Sequence, residues 1–451
     1  MLSVVLFLVG PVKVLAENYY THDRSGNFVP VDYAYNMLTS SEPGGIIFTN
    51  GDNDTFPLWY IQEVENVGTN VRVVNLSLLN TPWYIKQLKY MEPKVPISLN
   101  DRQIERIAAT EWPKPRKFEV PIASPEIREG EYRRYRLGAI NRVDSLPPAD
   151  KITFTVKPTP IMFRGRQYNV LRVQDLMILD ILATNKFRRP IYFATTTSNE
   201  NRMGDLIRYQ RLDGLLYRVT TIPGWELDPE VLYDNLMHKF RYTNLNNPSV
   251  YYNKGTIGLL QHYRYAFFRL GDYYLRAGNK ERFREVIQKH FEAMPPEVIP
   301  ILDANLRQVL IGMGLMAGVK GLDSLGTGTY TLAELSAFAE MGIRYKQYDF
   351  ARRAGELFLQ RYEQPNPEEV QTLLRLQGRL LRQRGPLSPE QQSLLLARIE
   401  EQVRRTVAQA YEKSGDYAGG IAFLEQWQQA HPENNFVKRK LKELREKLNA
   451  Q

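Results

Sequence analysis

The hydrophobic pattern of the first half of the chain alternates between short apolar runs and amphipathic stretches. Apolar runs at 46–48 and 71–76 flank a stretch with apolar residues at helical spacing, 56–61, and a further helix is predicted from residue 81. This alternation is typical of an α/β unit with parallel strands. In such sheets ligands bind beyond the carboxyl ends of the strands. The segment 46–84 is therefore the expected location of a binding site.

The same alternation resumes after a proline- and charge-rich excursion at 92–148, which predicts extended segments and turns. Strands are predicted at 152–156, 167–171 and 190–195, and a helix at 173–184. The last helix–strand pair can extend the sheet that begins at Ile46. The hydroxyl-rich loop 195–198 would then reach the same sheet edge. We expect an α/β domain, Rossmann-like with a parallel or mixed sheet, over residues 17–245.

From about residue 249 onward the pattern is helical and contains a repeat. Three segments match the tetratricopeptide spacing of aromatic, small and apolar residues. They are Phe267, Leu270, Gly271 and Tyr274; Phe338, Met341, Gly342 and Tyr345, followed by Ala354 and Phe358; and Val407, Ala408 and Tyr411. Neighbouring matches lie about two repeat lengths apart, so degenerate units are expected around 302–322 and 370–387. Residues 249–451 are predicted to form an all-α tetratricopeptide-like solenoid with a charged last helix at 436–448.

Residues 1–16 are almost wholly apolar up to Val9, and Gly10 and Pro11 then interrupt the run. The run is much shorter than the roughly 20 residues that cross a bilayer as a helix. Three interpretations stay open: a secretory signal segment, the tail of a transmembrane helix, or a buried N-terminal strand. The first two place Glu17 and the residues after it outside the cytosol.

Composition narrows the function classes without choosing among them. The 451 residues are 43% hydrophobic and 24% charged, which suits two or three folded domains. The absence of cysteine excludes disulfides, thiolate metal ligands and cysteine nucleophiles. The net charge is +9, but the basic residues are scattered, so no nucleic-acid partner is predicted. A basic surface near anionic lipid is the favoured interpretation.

The main candidate binding residues form the polar turn after the first strand. They are Asn50, Asp52, Asn53, Asp54 and Thr55. Two carboxylates, two amides and a hydroxyl at a helix start can hold a polar ligand or a hard cation. Capping by Asp54 or Thr55, with Pro57 in the first helical turn, explains part of this pattern but not Asp52 and Asn53. The turn is not an EF-hand loop, and no metal site is predicted.

Further candidates are less specific. Asn80 and Thr81 follow the second strand, and helix capping is their favoured role. His22, Asp23 and Arg24 could include a base with its orienting acid, although a hydrogen-bonded linker is the favoured interpretation. Aromatic residues near helix starts could stack on a sugar, although core packing is favoured: Trp59, Tyr60, Trp83 and Tyr84. There is no phosphate loop, paired metal-type histidines or nucleophile elbow, so no cofactor is predicted.

Several stretches together resemble one group of bacterial proteins. The stretches are 22–25, 32–34, 48–59 and 72–81. They are similar to large membrane proteins related to the eukaryotic transmembrane protein O-mannosyltransferase. The resemblance is specific between His22 and Tyr84 and extends over nearly the whole chain.

The resemblance implies a multi-helix glycosyltransferase membrane domain of the GT-C type, followed by a non-cytosolic part with helical repeats. That membrane domain, with its catalytic acid and lipid-linked sugar site, is not in this sequence. No catalytic residue of the family can therefore be transferred, and whether this chain is itself an enzyme stays open. The chain is expected to be a fragment or the product of a split or truncated gene.

Three hypotheses follow. In the first, the chain is the extracytoplasmic accessory region of such a glycosyltransferase, at the membrane surface. Its partners are then a membrane-embedded glycosyltransferase domain, from the same protein or an adjacent gene, and acceptor proteins bound by the repeats. In the second, the α/β domain is a stand-alone periplasmic sugar-binding or enzymatic domain that uses Asp52, Asn53, Asp54 and Asn80. In the third, the chain is a pure scaffold.

Overall fold

The computed structural model describes residues 2–140, 147–319, 330–364, 366–380 and 388–450. The chain divides into two compact units, 1–301 and 302–451. Parts of three predicted segments lie outside the described residues: 141–146 of the excursion, and 320–322 and 381–387 of the two degenerate repeat units.

The strands of the described chain all belong to the first unit. They are β1 (Ile46–Thr49), β2 (Arg72–Asn75), β3 (Thr110–Glu111), β4 (Arg116–Pro121), β5 (Lys151–Val156), β6 (Thr159–Phe163), β7 (Arg166–Leu171), β8 (Ile191–Ala194), β9 (Gln210–Leu212) and β10 (Leu216–Val219). The main sheet has the order β2-β1-β8-β10-β9. β1 is parallel to β2 and β8, and β10 is antiparallel to β8 and β9. Of the two predicted possibilities, a parallel or a mixed sheet, the structure shows the mixed one, and the strand at 190–195 lies beside the strand at Ile46 as predicted.

The helices of the first unit surround this sheet and its smaller neighbours. They are α1 (Leu2–His22), α2 (Val29–Thr39), α3 (Asp52–Glu63), α4 (Pro82–Tyr90), α5 (Asp101–Glu105), α6 (Pro125–Gly138), α7 (Val173–Asn185), α8 (Pro229–Asp234), α9 (Lys254–Ala277) and α10 (Lys280–Ala293). Ile46, Phe48, Val74 and Phe193 are completely buried, and the rings of Phe48 and Phe193 lie 5.0 Å apart. Parallel strands covered on both faces need uninterrupted apolar runs, which is why the sequence pattern located them.

The excursion contains more regular structure than the sequence indicated. Its strands β3 and β4 pair with strands that follow it in the chain: β3 joins β7 and β6 in a three-stranded antiparallel sheet, and β4 pairs with β5. The prediction of extended segments and turns alone is wrong, because α6 also lies here. Its prolines were interpreted as breaks, but Pro125 directly follows Ser124 in the first turn of α6, where proline is well tolerated. Tyr135 of α6 packs edge-on against Trp225, with ring centroids 6.1 Å apart.

The N-terminal segment forms α1, and the apolar side chains that the structure describes in it, from Phe7 onward, are exposed. Phe7, Val12 and Leu15 are 73%, 56% and 63% exposed. The interpretation of this segment as a buried strand is therefore wrong. Among the described residues, no helix combines the length and apolar character needed to span a membrane.

From Lys254 onward the described residues are helical, but α9 and α10 belong to the first unit. Asn36 of α2 donates from its Nδ2 to the Tyr263 hydroxyl of α9 at 2.7 Å, and its Oδ1 accepts from the Arg241 N–H at 2.8 Å. The first of these bonds is buried and ties α9 to α2, and the second ties α2 to the segment that precedes α9. The compact units therefore divide after Ile301 and not at the change of pattern near residue 249.

The second unit is helical throughout its described part. Its helices are α11 (Ala304–Ala317), α12 (Leu332–Arg344), α13 (Tyr348–Tyr362), α14 (Pro367–Leu380), α15 (Pro389–Ser414), α16 (Tyr417–Ala430) and α17 (Asn435–Asn449). α12 packs on α13, and α16 packs on α17. At the closest approach of α12 and α13, a Cβ on Gly342 would lie 2.6 Å from the Ala351 nitrogen. The absence of a side chain at Gly342 therefore allows the two helices to pack this closely.

Candidate functional site

Three loops meet at the carboxyl edge of the main sheet. β1 ends at Thr49, β2 at Asn75 and β8 at Ala194, and the segments after them leave the sheet on one side because these strands are parallel. The Thr196 hydroxyl, from the loop after β8, donates to Oδ2 of Asp54 at 2.6 Å. The prediction that the hydroxyl-rich loop reaches this edge is confirmed.

Asp54 holds the turn between β1 and α3 together. α3 begins at Asp52, so Asp54 is the third residue of the helix. The prediction that Asp54 or Thr55 is the N-cap is therefore wrong, since Gly51 takes that position. Its carboxylate accepts from the N–H groups of Asn50 and Gly51, each at 3.2 Å, and from Thr196. A carboxylate in the first helical turn is also favoured by the helix dipole. Asp54 is only 8% exposed, and these bonds assign it a structural role.

Thr55 belongs to a buried polar network that joins β1, β2 and α3. Its hydroxyl lies 2.7 Å from the Thr49 hydroxyl and accepts from Nδ2 of Asn75 at 3.0 Å. The Oδ1 of Asn75 accepts from the Leu78 N–H at 3.0 Å. Thr49, Thr55 and Asn75 are all completely buried. Buried polar groups satisfied in this way fix the geometry of their surroundings, so Thr55 positions the turn.

Asn80 joins the loop after β2 to the start of α7. Its Nδ2 donates to the Leu76 carbonyl and to Oε1 of Gln174, each at 3.0 Å, and its Oδ1 accepts from the Gln174 N–H at 3.0 Å. Thr81 occupies the N-cap position of α4, but its hydroxyl donates backwards to the Leu78 carbonyl at 2.7 Å. The polar groups of both predicted candidates are thus used within the fold.

Asn201 connects these loops, and the sequence analysis did not identify it. Its Nδ2 donates to Oδ1 of Asn50 at 2.6 Å, and its Oδ1 accepts from Arg172 at 2.8 Å and from Gln174 at 3.3 Å. Arg172 also forms a two-bond ion pair with Asp175. We name the resulting surface the amide ridge; it consists of Asn50, Asn80, Gln174 and Asn201. The polar run that follows the 195–198 loop is the sequence feature that could have identified Asn201.

Asp52 and Asn53 differ from the other candidates. Both are exposed, and within the described chain their side chains form no hydrogen bond or ion pair. Their polar groups are available to a ligand, but an exposed carboxylate and amide at a helix start do not by themselves define one. Among the described residues, no three His, Asp or Glu side chains are grouped closely enough to hold a metal ion.

His22, Asp23 and Arg24 lie at the end of α1 and make local contacts. The His22 Nδ1 lies 3.0 Å from the Asn18 carbonyl, and Asp23 accepts from the Ser25 N–H at 2.8 Å. Hydrogen bonds from the hydroxyl and the backbone of Ser25 lower the pKa of Asp23. Arg24 lies over the Tyr251 ring at 5.6 Å. These contacts fit the hydrogen-bonded linker and give no acid–base pair.

A second hydrogen-bonded group lies behind the sheet edge. The Tyr33 hydroxyl is 3.0 Å from Nδ1 of His262 and 3.3 Å from the Thr195 hydroxyl. Burial raises the pKa of Tyr33 and lowers the pKa of His262, so both groups are neutral near pH 7. Tyr33 is only 3% exposed, so this group links α2, β8 and α9 and does not face a substrate.

Comparison with known families agrees with this part of the fold. Residues 30–113 and 148–228 match a family model described as TMEM260-associated domain 2. The matched residues make up a little over a third of the chain and include β1, β2, β8 and the whole amide ridge. Neither the curated proteins nor the solved structures contain a match to the chain. These parts of the first unit are thus similar to a domain associated with the TMEM260 family.

Proposed function

We propose that this chain is the extracytoplasmic accessory region of a protein O-mannosyltransferase-like membrane glycosyltransferase. The observation that carries the proposal is the match of the sheet and its loops to TMEM260-associated domain 2. Glycosyl transfer is assigned to a membrane-embedded GT-C domain, in the same protein or encoded by an adjacent gene. No residue of this chain receives a catalytic role.

The surface of α1 supports a location at the membrane. The apolar side chains that the structure describes in this helix, from Phe7 onward, are exposed, and Tyr19 and Tyr20 near its end are 65% and 52% exposed. Tyrosines at the end of an apolar helix are typical of the boundary between lipid and water. In this proposal, α1 contacts lipid or membrane helices, and Arg24 and the residues after it lie on the extracytoplasmic side.

The helical second unit supports a role in binding acceptor proteins. Phe338 and Phe358 are completely buried at their motif positions in α12 and α13, and Gly342 allows the two helices to pack closely. Helix pairs of this kind stack into solenoids whose concave faces bind other proteins. We propose that the pairs form such a tetratricopeptide-like solenoid and that its concave face holds the acceptor.

A second candidate function is a stand-alone periplasmic sugar-binding or enzymatic α/β domain with a repeat scaffold. The observation that favours it is the exposure of Asp52 and Asn53 beside the amide ridge, with polar groups free for a ligand. The substitution Asp52→Ala distinguishes this alternative from the accessory role. Loss of ligand binding with unchanged stability would favour a site of its own, and unchanged behaviour would favour the accessory role.

The accessory role can be tested in the cells that produce the protein. Deletion of the coding region should remove hexose from Ser and Thr residues of extracytoplasmic proteins, as measured by mass spectrometry of enriched glycopeptides. The wild-type chain and the Asp52→Ala variant should both restore the modification, since Asp52 has no role in the accessory function. A chain lacking residues 302–451 should not restore it. Unchanged hexose modification after deletion would contradict the proposal.

A further inference from the structure

A cleft of about 420 Å³ opens beside β2, the outermost strand of the main sheet. We name it the edge cleft; its lining includes Trp59, Gln62, Glu63, Asn66, Arg72 and Gln87. α3 and α4 form its walls, and the turns after these helices close its ends. Small-molecule sites in proteins usually measure about 300–1,000 Å³, so the volume suits a small ligand. The cleft shares no residue with the amide ridge and is a separate candidate site.

The free edge of β2 explains why a cleft exists here. The Tyr84 hydroxyl accepts from the Asn75 N–H at 3.0 Å and donates to the Val73 carbonyl at 3.4 Å. This side chain takes the place of a neighbouring strand over the second half of β2. Nearer the start of β2, at Arg72, the edge of the sheet faces the cleft.

Arg72 provides the cleft with an unused hydrogen-bond donor. Its Nη1 donates to the Glu92 carbonyl at 3.1 Å, whereas its Nη2 forms no hydrogen bond to a described residue and, unlike the buried Nε, is not enclosed by the protein. Burial lowers the pKa of Arg72, but a guanidinium remains charged at physiological pH. The Nη2 N–H groups are therefore available to a ligand oxygen in the cleft.

The wall formed by α3 provides a flat apolar surface. Trp59 is half-buried, and its ring lies 5.6 Å from that of Phe56, which restricts the indole. The Nε2 of Gln62 donates to the carbonyls of Gly68 and Val71 at 2.7 and 2.8 Å, and these bonds fix the turn at one end of the cleft. The cleft is therefore preorganised around the indole, which reduces the cost of binding.

An aromatic face beside planar hydrogen-bonding groups is the chemistry that recognises a sugar ring. The C–H face of a sugar packs on an indole, and its hydroxyls bond to guanidinium, amide and carboxylate groups. An apolar ligand would fill the same volume without an acceptor for Arg72. The opposite charges of Arg72 and Glu63 disfavour a strongly charged ligand, because each attracts what the other repels.

We propose that the edge cleft binds one sugar ring, with Trp59 against its apolar face and the Arg72 Nη2 donating to one of its oxygens. The inference goes beyond the proposed function, because the cleft is defined by its own chemistry. Each of the two proposals can be wrong without the other. The glycopeptide measurement tests the accessory role, and a binding measurement on the purified chain tests sugar binding in the edge cleft.

The binding measurement uses ¹⁹F NMR of the full chain labelled with 5-fluorotryptophan. The chain has five tryptophans, and single Trp→Phe replacements assign their resonances. Methyl glycosides of glucose, galactose, mannose, N-acetylglucosamine and glucuronic acid are each titrated to millimolar concentration. At least one should shift the Trp59 resonance saturably, while Trp83, which is 57% exposed and does not line the cleft, should not respond.

Two matched variants test the role of the guanidinium. Arg72→Gln should weaken glycoside binding about tenfold or more, because a hydrogen bond from a charged donor is lost. Arg106→Gln, at an exposed arginine that does not line the cleft, should leave the affinity unchanged. Circular dichroism checks the fold of both, and Arg72→Lys, which keeps the charge but lacks the guanidinium N–H groups, replaces Arg72→Gln if that variant is unfolded.

Three results would overturn the proposal. The first is the absence of a saturable Trp59 shift with every glycoside. The second is an equal affinity of wild type and Arg72→Gln. The third is a saturable shift with a capped tetrapeptide of alanine and serine but with no glycoside, which would make the cleft a peptide site.

Discussion

The structural role of Asp54 leads to a quantitative prediction for Asp54→Ala. The substitution removes one hydrogen bond from Thr196 and two from the N–H groups of Asn50 and Gly51. The bond from Thr196 to a nearly buried carboxylate should contribute about 1.5–3 kcal/mol. The two N–H groups lie at a helix start that water can reach, so together they should contribute about 1 kcal/mol. The expected loss of unfolding free energy for the first unit is therefore about 3 kcal/mol.

Asp52→Ala is the matched control, because Asp52 lies in the same helical turn but is exposed. Only its favourable interaction with the helix dipole is lost, which amounts to about 0.3–1 kcal/mol. Both variants are measured by urea denaturation followed by tryptophan fluorescence. In a Trp427→Phe background the four remaining tryptophans all lie in the first unit, so the signal reports on that unit.

The comparison can refute the reasoning in two ways. Equal and small losses for Asp54→Ala and Asp52→Ala would show that the hydrogen bonds of Asp54 do not stabilise the turn. A larger loss for Asp52→Ala than for Asp54→Ala would reverse the assignment of the structural and the free carboxylate.

Three other variants test contacts within the first or the second unit. Asp213→Ala should destabilise the first unit by about 3–5 kcal/mol, because the buried Arg211 guanidinium, 1% exposed, loses the carboxylate to which it makes two hydrogen bonds. Urea denaturation measures this, and a loss below about 1 kcal/mol would contradict it. Gly342→Ala should lower the stability of the second unit by about 1–3 kcal/mol, because the added Cβ would collide with the backbone of Ala351. Thermal unfolding monitored by the fluorescence of Trp427 checks this, and an unchanged midpoint would contradict it. Burial, together with a neighbouring arginine, lowers the pKa of His290, so the unfolded chain takes up a proton below about pH 6.5 while the folded chain does not. Stability should therefore fall as the pH drops below about 6.5, and His290→Gln should show a shallower decline in denaturation series across pH.

The three parallel strands of the main sheet, β1, β2 and β8, could be predicted because each contains consecutive apolar residues, whereas β9 and β10 were not predicted. Ile46, Ile47 and Phe48 are all completely buried, and only an uninterrupted apolar run fits such a strand. The turn after β1 was also located correctly. The start of α3 was misplaced because Asp, Asn and Thr all suit an N-cap, and the pattern does not show which one takes that position.

The contacts that define the candidate site could not be predicted, because they join residues far apart in the chain. Asn201 bonds to Asn50 across 151 positions, and Thr196 bonds to Asp54 across 142. The edge cleft likewise depends on a strand having no neighbour on one side. These features follow from the order of strands in the sheet, which the local pattern of residues does not encode.

The central claim is that the chain works beside a membrane-embedded glycosyltransferase, and photo-crosslinking in cells tests it most directly. A photoreactive amino acid at position 19, where Tyr19 is 65% exposed on α1, is irradiated in intact cells, and the products are identified by mass spectrometry. The account predicts crosslinks to a multi-helix membrane protein of the GT-C type, or to such a domain of the same polypeptide. Crosslinks confined to water-soluble proteins would contradict it.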